Sequence, residues 1–394
     1  MKIGIDARPL RQSRVGIGNY VHGLVERLPS IASGSQYFLY SNREIDAALP
    51  VDWAHRHTDR AFRRMPGTFW LWLRGAQLAQ RDDLDIFWST APLLPAGLPA
   101  GVKKVITVYD LVWRLFPQTM SRHGLVFQRL FAEDAIRQAD LVVTISKSTA
   151  EDLVRLLAIP PAKIQLIYPG ISDVFAPRDR THAAAFISEK YGIAPLYMAA
   201  LGTVEPRKNL QLLVEVLRLL KQKGRLTHPL AIGGAGGWKS SGLFEKIRVA
   251  GLTEREIRFL GYIPDEDLPS FYAGAQAFLF PSLYEGFGFP PLEAMACGTP
   301  VIASNAKSMP EVLAEAALLY PPDDAEGFAE GVARISSDES LRRSLCAAGI
   351  ERARKFRWET SAQQLLQSFK RIASSEMANV PEELGRQADF AARR

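Results

Sequence analysis

The residues best suited to chemistry lie in one stretch, Phe280–Glu293, with the sequence FPSLYEGFGFPPLE. A short apolar β-rich run leads into a loop containing Gly286 and Gly288, and Pro290 and Pro291 then open a helix, where a missing N–H costs nothing. In open α/β sheets ligands bind at such strand-to-helix junctions. Glycines let backbone amides approach a ligand, and a helix N-terminus favours negative charge by ~0.3–1 kcal/mol. Two carboxylates flank the loop: Glu285 within it and Glu293, expected in the first turn of the helix. Carboxylates accept hydrogen bonds from hydroxyl-rich ligands such as sugars. Taken singly, each has a plainer role, Glu293 complementing the helix dipole and Glu285 lying in solvent. The segment as a whole points to a ligand.

A second junction, Leu201–Asn209 (LGTVEPRKN), places Arg207 and Lys208 side by side before a helix. A helix N-terminus disfavours cations. A bound polyphosphate would reverse that penalty, with Arg forking to two oxygens and Lys acting as a point charge. An exposed basic turn is the equal alternative. Gly16-Ile17-Gly18-Asn19-Tyr20 follows the first strand and resembles the start of a dinucleotide fingerprint, but Val21 stands where the third glycine belongs. The pair Gly16 and Gly18 still suits an anion site at a helix start. Asp110, after Thr107-Val108-Tyr109, sits at a strand's carboxyl end, either facing a ligand or forming a turn. No metal site is expected: Asp83 and Asp85 precede a strand, Asp265–Asp267 reads as a helix cap, and the histidines form no ligand set.

These residues need a scaffold that brings strand ends together, and the chain alternates strand-like and helix-like segments throughout. Strands are expected at Lys2–Asp6, Tyr37–Tyr40, Ile86–Ser89, Val105–Val108, Leu141–Thr144 and Ile164–Ile167. They are apolar on both faces, as buried parallel strands require. Ser146 is expected to cap the helix that follows it. The pattern restarts at Tyr197–Leu201, followed by a helical stripe Leu210, Leu213, Val214, Leu217, Leu220. Further strands are expected at Leu230–Ile232, Ile257–Leu260, Ala277–Phe280, Val301–Ala303 and Ala317–Leu319. Two such runs imply two α/β domains with parallel sheets. The turn formers of Tyr168–Arg180 place the hinge there. The expected division is a domain at 1–174, a linker at 175–190, a second domain at 191–358, a last helix at 359–375, and a mobile tail at 376–394.

With 394 residues and 47% hydrophobic content, the chain can bury two large cores without staples. Cys297 and Cys346 make neither a disulfide framework nor a metal spacing, and a reducing cytoplasm is expected. The N-terminus does not read as a signal peptide, and no stretch is long and apolar enough for a membrane span. The formal net charge is +6, all of it in residues 1–180, with 181–394 balanced. Such asymmetry suits an acidic partner: a membrane surface, a phosphorylated lipid or nucleic acid. Residues 53–81 hold six arginines and the aromatics Trp53, Phe62, Phe69, Trp70 and Trp72, a mixture suited to an anionic membrane interface. Helix core beside a solvated basic face is the alternative.

Together these motifs resemble the retaining GT-B-fold glycosyltransferases of family four, from end to end. Glu285 and Glu293 match the family's Glu–seven residues–Glu motif, and Thr203–Asn209 matches its phosphate-binding segment. Ile5-Asp6-Ala7-Arg8-Pro9 with Gly16–Tyr20 is similar to a bacterial subgroup, many of whose members are described as mannosyltransferases of surface polysaccharides. The resemblance implies two facing Rossmann-like domains, with the C-terminal helix crossing back to the first. It implies a nucleotide-diphosphate sugar, GDP-mannose favoured, held by the second domain, and a lipid-linked or oligosaccharide acceptor presented by the first. Arg207, Lys208, Gly16 and Gly18 would stabilise the leaving diphosphate, Glu285 the sugar, and Glu293 the ribose. Gly286, Phe287, Gly288 and Phe289 would line the donor site, and Tyr262 and Ile263, in Leu260–Pro264, would lie near the base. Asp110 and Tyr109 would serve at the reacting centre. The family commonly has histidine where this chain has Tyr109, whose hydroxyl offers a hydrogen bond but no positive charge. Front-face substitution without a metal or cofactor is implied. A cytoplasmic enzyme is expected, peripheral on the cytoplasmic membrane face through the arginines and aromatics of residues 53–81, with nucleic acid not the expected partner. A sugar-nucleotide epimerase of similar fold and a non-catalytic nucleotide-sugar or nucleic-acid binding protein are the rival readings.

Overall fold

The computed structural model describes the chain except residues 12–15, 32–33, 46–48, 51–52, 57–61, 63, 121, 235, 237–240 and 375–394. The expected tail at 376–394 and part of the 53–81 segment lie outside the described residues. The chain forms two compact units: Met1–Gly170 with the chain from Arg357 onward, and Ile171–Phe356.

In the first unit, β1 (Lys2–Asp6), β2 (Gln36–Tyr40), β3 (Ala54–Arg56), β4 (Ile86–Ser89), β5 (Lys103–Val108), β6 (Leu141–Thr144) and β7 (Ile164–Leu166) form one parallel sheet. Its order is β3-β2-β1-β4-β5-β6-β7. Every residue of β4 and β6 is buried, which is why these strands read as continuous apolar runs. The order reverses between β1 and β4, the kind of switch point beside which open α/β sheets bind ligands. Ser146 accepts the Thr149 amide at 3.1 Å and caps the helix Lys147–Leu157, as its position predicted.

The C-terminal helix Trp358–Ala373 belongs to this first unit. Trp358 is buried edge-on to Tyr20 at 5.9 Å, and Phe369 meets Trp88 at 5.9 Å. A side chain at Gly23 could not coexist with this packing, since a β-carbon there would stand 2.4 Å from the Trp358 ring.

The second unit repeats the plan. Strands β8 (Met198–Leu201), β9 (Leu230–Gly233), β10 (Ile257–Gly261), β11 (Phe278–Phe280), β12 (Val301–Ser304) and β13 (Ala317–Tyr320) are all parallel. Their order is β10-β9-β8-β11-β12-β13, and its reversal falls between β8 and β11. The two chemistry-bearing segments leave the sheet from these two strands. The predicted stripe is buried along the helix Leu210–Gln222 and packs into the unit's core with Phe328, Val332 and Leu279.

Two expectations differ from the structure. Most of the linker range 175–190 is taken up by the helix Arg180–Tyr191, capped by Asp179, inside the second unit. The aromatic segment 53–81 is not one surface: Trp53 and Trp70 are buried, and Phe62 is half-buried under Arg74. The exposed apolar side chains are Phe69, Trp72 and Leu73 on the helix Gly67–Asp82. Val126 and Leu130 are exposed on the adjoining helical stretch, and Trp72 contacts Phe131 at 6.4 Å. Among the described residues no helix is long and apolar enough to cross a membrane.

Candidate functional site

In the second unit, the loop leaving β8 makes a short turn at Pro206–Lys208. The loop leaving β11 runs beside it, and the Leu283 amide donates to the Arg207 carbonyl at 2.9 Å. Asn209, in the left-handed region at φ 53°, clasps the two: its side-chain amide donates to the carbonyls of Pro281 at 3.1 Å and Pro322 at 2.7 Å. The Ser308 hydroxyl lies within donating distance of the carbonyls of Glu285 and Phe287, at 2.9 and 3.0 Å. Gly288 turns the chain into the helix Phe289–Ala296 with φ 105°, and a β-carbon there would collide with Met309 at 2.3 Å. The positive φ is what favours glycine here, since the methionine end could shift aside.

This framework brings Arg207, Lys208 and Glu285 together. Lys208 Nζ donates to Glu285 Oε1 at 2.7 Å, and Arg207 Nη1 donates to Oε2 at 2.7 Å and to the Tyr284 carbonyl at 2.8 Å. Arg207 Nη2 donates to Glu205 Oε1 at 2.6 Å. Two cations thus face two carboxylates. Burial alone would push the Glu285 carboxyl up, but Lys208 and Arg207 beside it hold it below the ordinary carboxylate range. Sequence reasoning left the two cations without counter-charges and missed Glu205, two positions before Arg207. The carboxylates remove the electrostatic penalty that a polyphosphate was expected to remove. Glu285 thus already occupies donors of both cations.

Glu293 lies deeper than expected, in the second turn of its helix, and is 7% exposed. Tyr272 donates its hydroxyl to Glu293 Oε2 at 2.8 Å. Burial, with the charge of Asp265 adding, raises the Glu293 carboxyl to about 7 despite that hydrogen bond. Tyr262, at the exit of β10, is exposed and also feels the charge of Asp265, which raises its phenol. Ile263 is buried against Gly233, where a β-carbon would stand 2.5 Å from its side chain. Phe287 is buried between Phe289 (5.2 Å) and Phe356 (5.5 Å), so it braces the loop. Gly286 is buried in the same loop. Asp267, read as a helix cap, instead takes Lys190 at 2.6 Å, with no side-chain bond to the helix start.

The remaining predicted residues lie in the first unit, at the carboxyl edge of its own sheet. Gly16 precedes the helix Ile17–Val25 with φ 55°, and Gly18 is buried in that helix's first turn. The Tyr109 hydroxyl donates to the Thr90 carbonyl at 2.8 Å, and its ring stands edge-on to Tyr20 at 5.5 Å. Burial, then the nearness of Tyr20 and Asp6, raises its phenol well above the ordinary value, so it stays protonated. Asp110 accepts the Val112 amide at 3.0 Å, which makes it a turn former as well as an edge acid. An ion pair that sequence reasoning did not find stands nearby: Arg8 donates through Nε and Nη2 to the two oxygens of fully buried Asp6, each at 2.7 Å.

Comparison with known proteins places this geometry. Residues 15–175 match the model of Glycosyltransferase Family 4, and residues 185–356 match that of Glycosyl transferases group 1. The chain is similar to O-antigen chain mannosyltransferase B of Escherichia coli, with 31% identity over 386 residues, 94% of this chain and 100% of that protein. It is also similar to the serotype-specific mannosyltransferase WbdA of Escherichia coli, with 30% identity over 242 residues, covering 60% of this chain and 29% of that protein. Among solved structures, sucrose-phosphate synthase from Thermosynechococcus elongatus superposes with a TM-score of 0.73 at 20% identity, covering 95% of this chain and all of that one. The chain belongs to the family-four, group-1 glycosyltransferases, and its two parallel-sheet α/β units are those of the GT-B fold class.

Proposed function

We propose that this chain is a retaining mannosyltransferase. It moves mannose from GDP-mannose to a hydroxyl of a lipid-linked or oligosaccharide acceptor during cell-surface polysaccharide synthesis. The observation that carries this reading is the Arg207–Glu285–Lys208 cluster at the carboxyl edge of the second sheet. Similarity to an O-antigen mannosyltransferase along its whole length supports the choice of sugar. As the bond from the anomeric carbon to the diphosphate breaks, negative charge grows on the diphosphate, and Arg207 and Lys208 are preorganised to receive it. Losing one such donor costs ~10²–10³ in rate. Glu285, held ionised, accepts from hydroxyls of the transferred sugar, and Glu293 accepts from those of the ribose. The acceptor oxygen attacks from the face the diphosphate leaves, and its proton passes to the departing phosphate, so no protein nucleophile or metal is needed. Product analysis with labelled GDP-mannose tests the reading: label in a glycoside supports it, while an epimerised sugar nucleotide or binding without turnover contradicts it.

The enzyme works, on this reading, at the cytoplasmic face of the membrane. The exposed group Phe69, Trp72, Leu73, Val126 and Leu130, with Arg74 and Arg129 on the same elements, supports peripheral attachment. Each basic residue near an anionic surface contributes ~1 kcal/mol. In flotation assays at low salt the protein should rise with phosphatidylglycerol vesicles and stay behind with neutral ones. The double substitution Phe69→Ser and Leu73→Ser should leave most of it in the soluble fraction. Equal recovery whatever the lipid charge would remove the attachment.

A further inference from the structure

Tyr272 lies on the short helix Leu268–Ala273 of the second unit and is fully buried. Its ring stands edge-on to Phe278, at the start of β11, at 5.3 Å. It stands edge-on also to Phe175, on the chain entering this unit, at 5.9 Å. Its backbone carbonyl accepts the Thr299 hydroxyl at 2.7 Å, and the Thr299 amide donates to the Ala294 carbonyl at 2.9 Å. Ring and backbone are therefore both fixed against the helix that carries Glu293. Phenylalanine would make the same ring contacts. A hydroxyl buried without a partner is unfavourable, so its presence here calls for one. Among the described residues it has a single partner, Glu293 Oε2 at 2.8 Å.

That bond makes the two oxygens of Glu293 unequal. Oε2 is held, while Oε1 takes no hydrogen bond among the described residues and is not sealed from solvent. A carboxyl turned about its last side-chain bond would lose Tyr272, so the bond also fixes the direction of Oε1. The Tyr272 phenol is raised well above its ordinary value by burial, then by the charge of Glu293, so it stays protonated and can only donate to the carboxyl. Donation to a carboxyl favours the ionised form, against the burial that raises it. A hydroxyl-bearing ligand gains most from an acceptor that is both ionised and aimed, since hydrogen bonds to charged groups are the strong ones.

We propose that Tyr272 is a positioning residue for nucleoside recognition: its hydroxyl holds Glu293 so that Oε1 meets the ribose hydroxyls of the donor. This rests on the reading of Glu293 as the ribose acceptor given above. Tyr272 then touches no substrate and acts through Glu293 alone.

Calorimetric titration of the full chain with GDP and with 2′,3′-dideoxy-GDP tests this. Base and diphosphate are common to both ligands, so the ratio of affinities isolates the ribose hydroxyls. The wild type should favour GDP. Tyr272→Phe, which keeps the ring and its packing, should lower that preference about tenfold and leave dideoxy-GDP binding unchanged. In a Glu293→Met background, where the acceptor is gone but the bulk is kept, adding Tyr272→Phe should change the ratio no further. Equal weakening of both ligands by Tyr272→Phe would make the tyrosine structural only, and an unchanged preference would make the bond idle. Either result overturns the assignment, as does a further fall in the double variant. A wild type that binds both ligands equally overturns the ribose reading of Glu293, and the role of Tyr272 with it. A wild type that prefers GDP upholds that reading whatever Tyr272→Phe does, so the two failures are told apart.

Discussion

Replacing Glu285 with glutamine is expected to lower kcat by about a thousandfold while nucleoside diphosphate binds more tightly than to the wild type. The two effects have one cause. Glu285 takes a hydrogen bond from each of Arg207 and Lys208, so it competes with an incoming diphosphate. Glutamine keeps the shape, removes the charge and frees both cations for phosphate. The same change removes the ionised acceptor that meets the sugar, and turnover collapses. Glutamine is preferable to alanine as a test, because truncation would leave a hole beside two partly buried cations, and breaking a buried ion pair costs ~3–5 kcal/mol. Calorimetry with GDP and a transfer assay check both arms. Near-normal kcat in the folded variant would remove Glu285 from the chemistry, and weaker GDP binding would mean that it helps hold the diphosphate.

The second large effect concerns Glu293 and pH. Burial raises its carboxyl from 4.5 to about 7 in the folded protein. The folded state therefore holds the proton more tightly than the unfolded chain. The resulting stabilisation is fully present below about pH 4.5 and is lost as pH rises through about 7. A shift of this size corresponds to ~3 kcal/mol across that window. Glutamine at this position cannot ionise and can still accept from Tyr272. Glu293→Gln should therefore lack this component of the decline. Denaturant titrations from pH 5 to 8, following the transition of the second unit, check this. Wild type should lose stability relative to the variant by an amount on the order of 3 kcal/mol. Parallel curves would show that Glu293 is ionised throughout.

Most of the scaffold was legible because buried parallel strands have a strong signature. Ile86–Ser89 and Leu141–Thr144 are buried at every position and occupy the expected residues. The strand Ala54–Arg56 went unseen because it is a three-residue edge strand without a buried residue, and its polar members carry no apolar run. The helix Arg180–Tyr191 was read as linker because the Pro- and Gly-rich chain before it dominates the local signal and it buries only Ala183, Ala184 and Ile187. The candidate site divides in the same way. The loop glycines and prolines announced a strand-to-helix junction, and the paired cations announced an anion site. The sequence could not show that Glu285 neutralises those cations, because that contact joins residues on different strand exits, whereas Glu205 stands two positions from Arg207 and was within reach of the sequence. Nor could it show Tyr272 beneath Glu293, or the Tyr109 hydroxyl turned onto the Thr90 carbonyl.

The most direct measurement is the anomeric configuration of the product. Purified protein, GDP-α-mannose labelled at the anomeric carbon, and an oligomannoside acceptor are combined with excess chelator, and the reaction is followed by NMR. The expected result is steady formation of an α-mannoside, with the label in the glycoside and GDP released. A β-mannoside would contradict substitution on the leaving-group face. An epimerised sugar nucleotide, free mannose as the sole product, or activity that chelation abolishes and Mg²⁺ restores would contradict transfer driven by Arg207 and Lys208 alone.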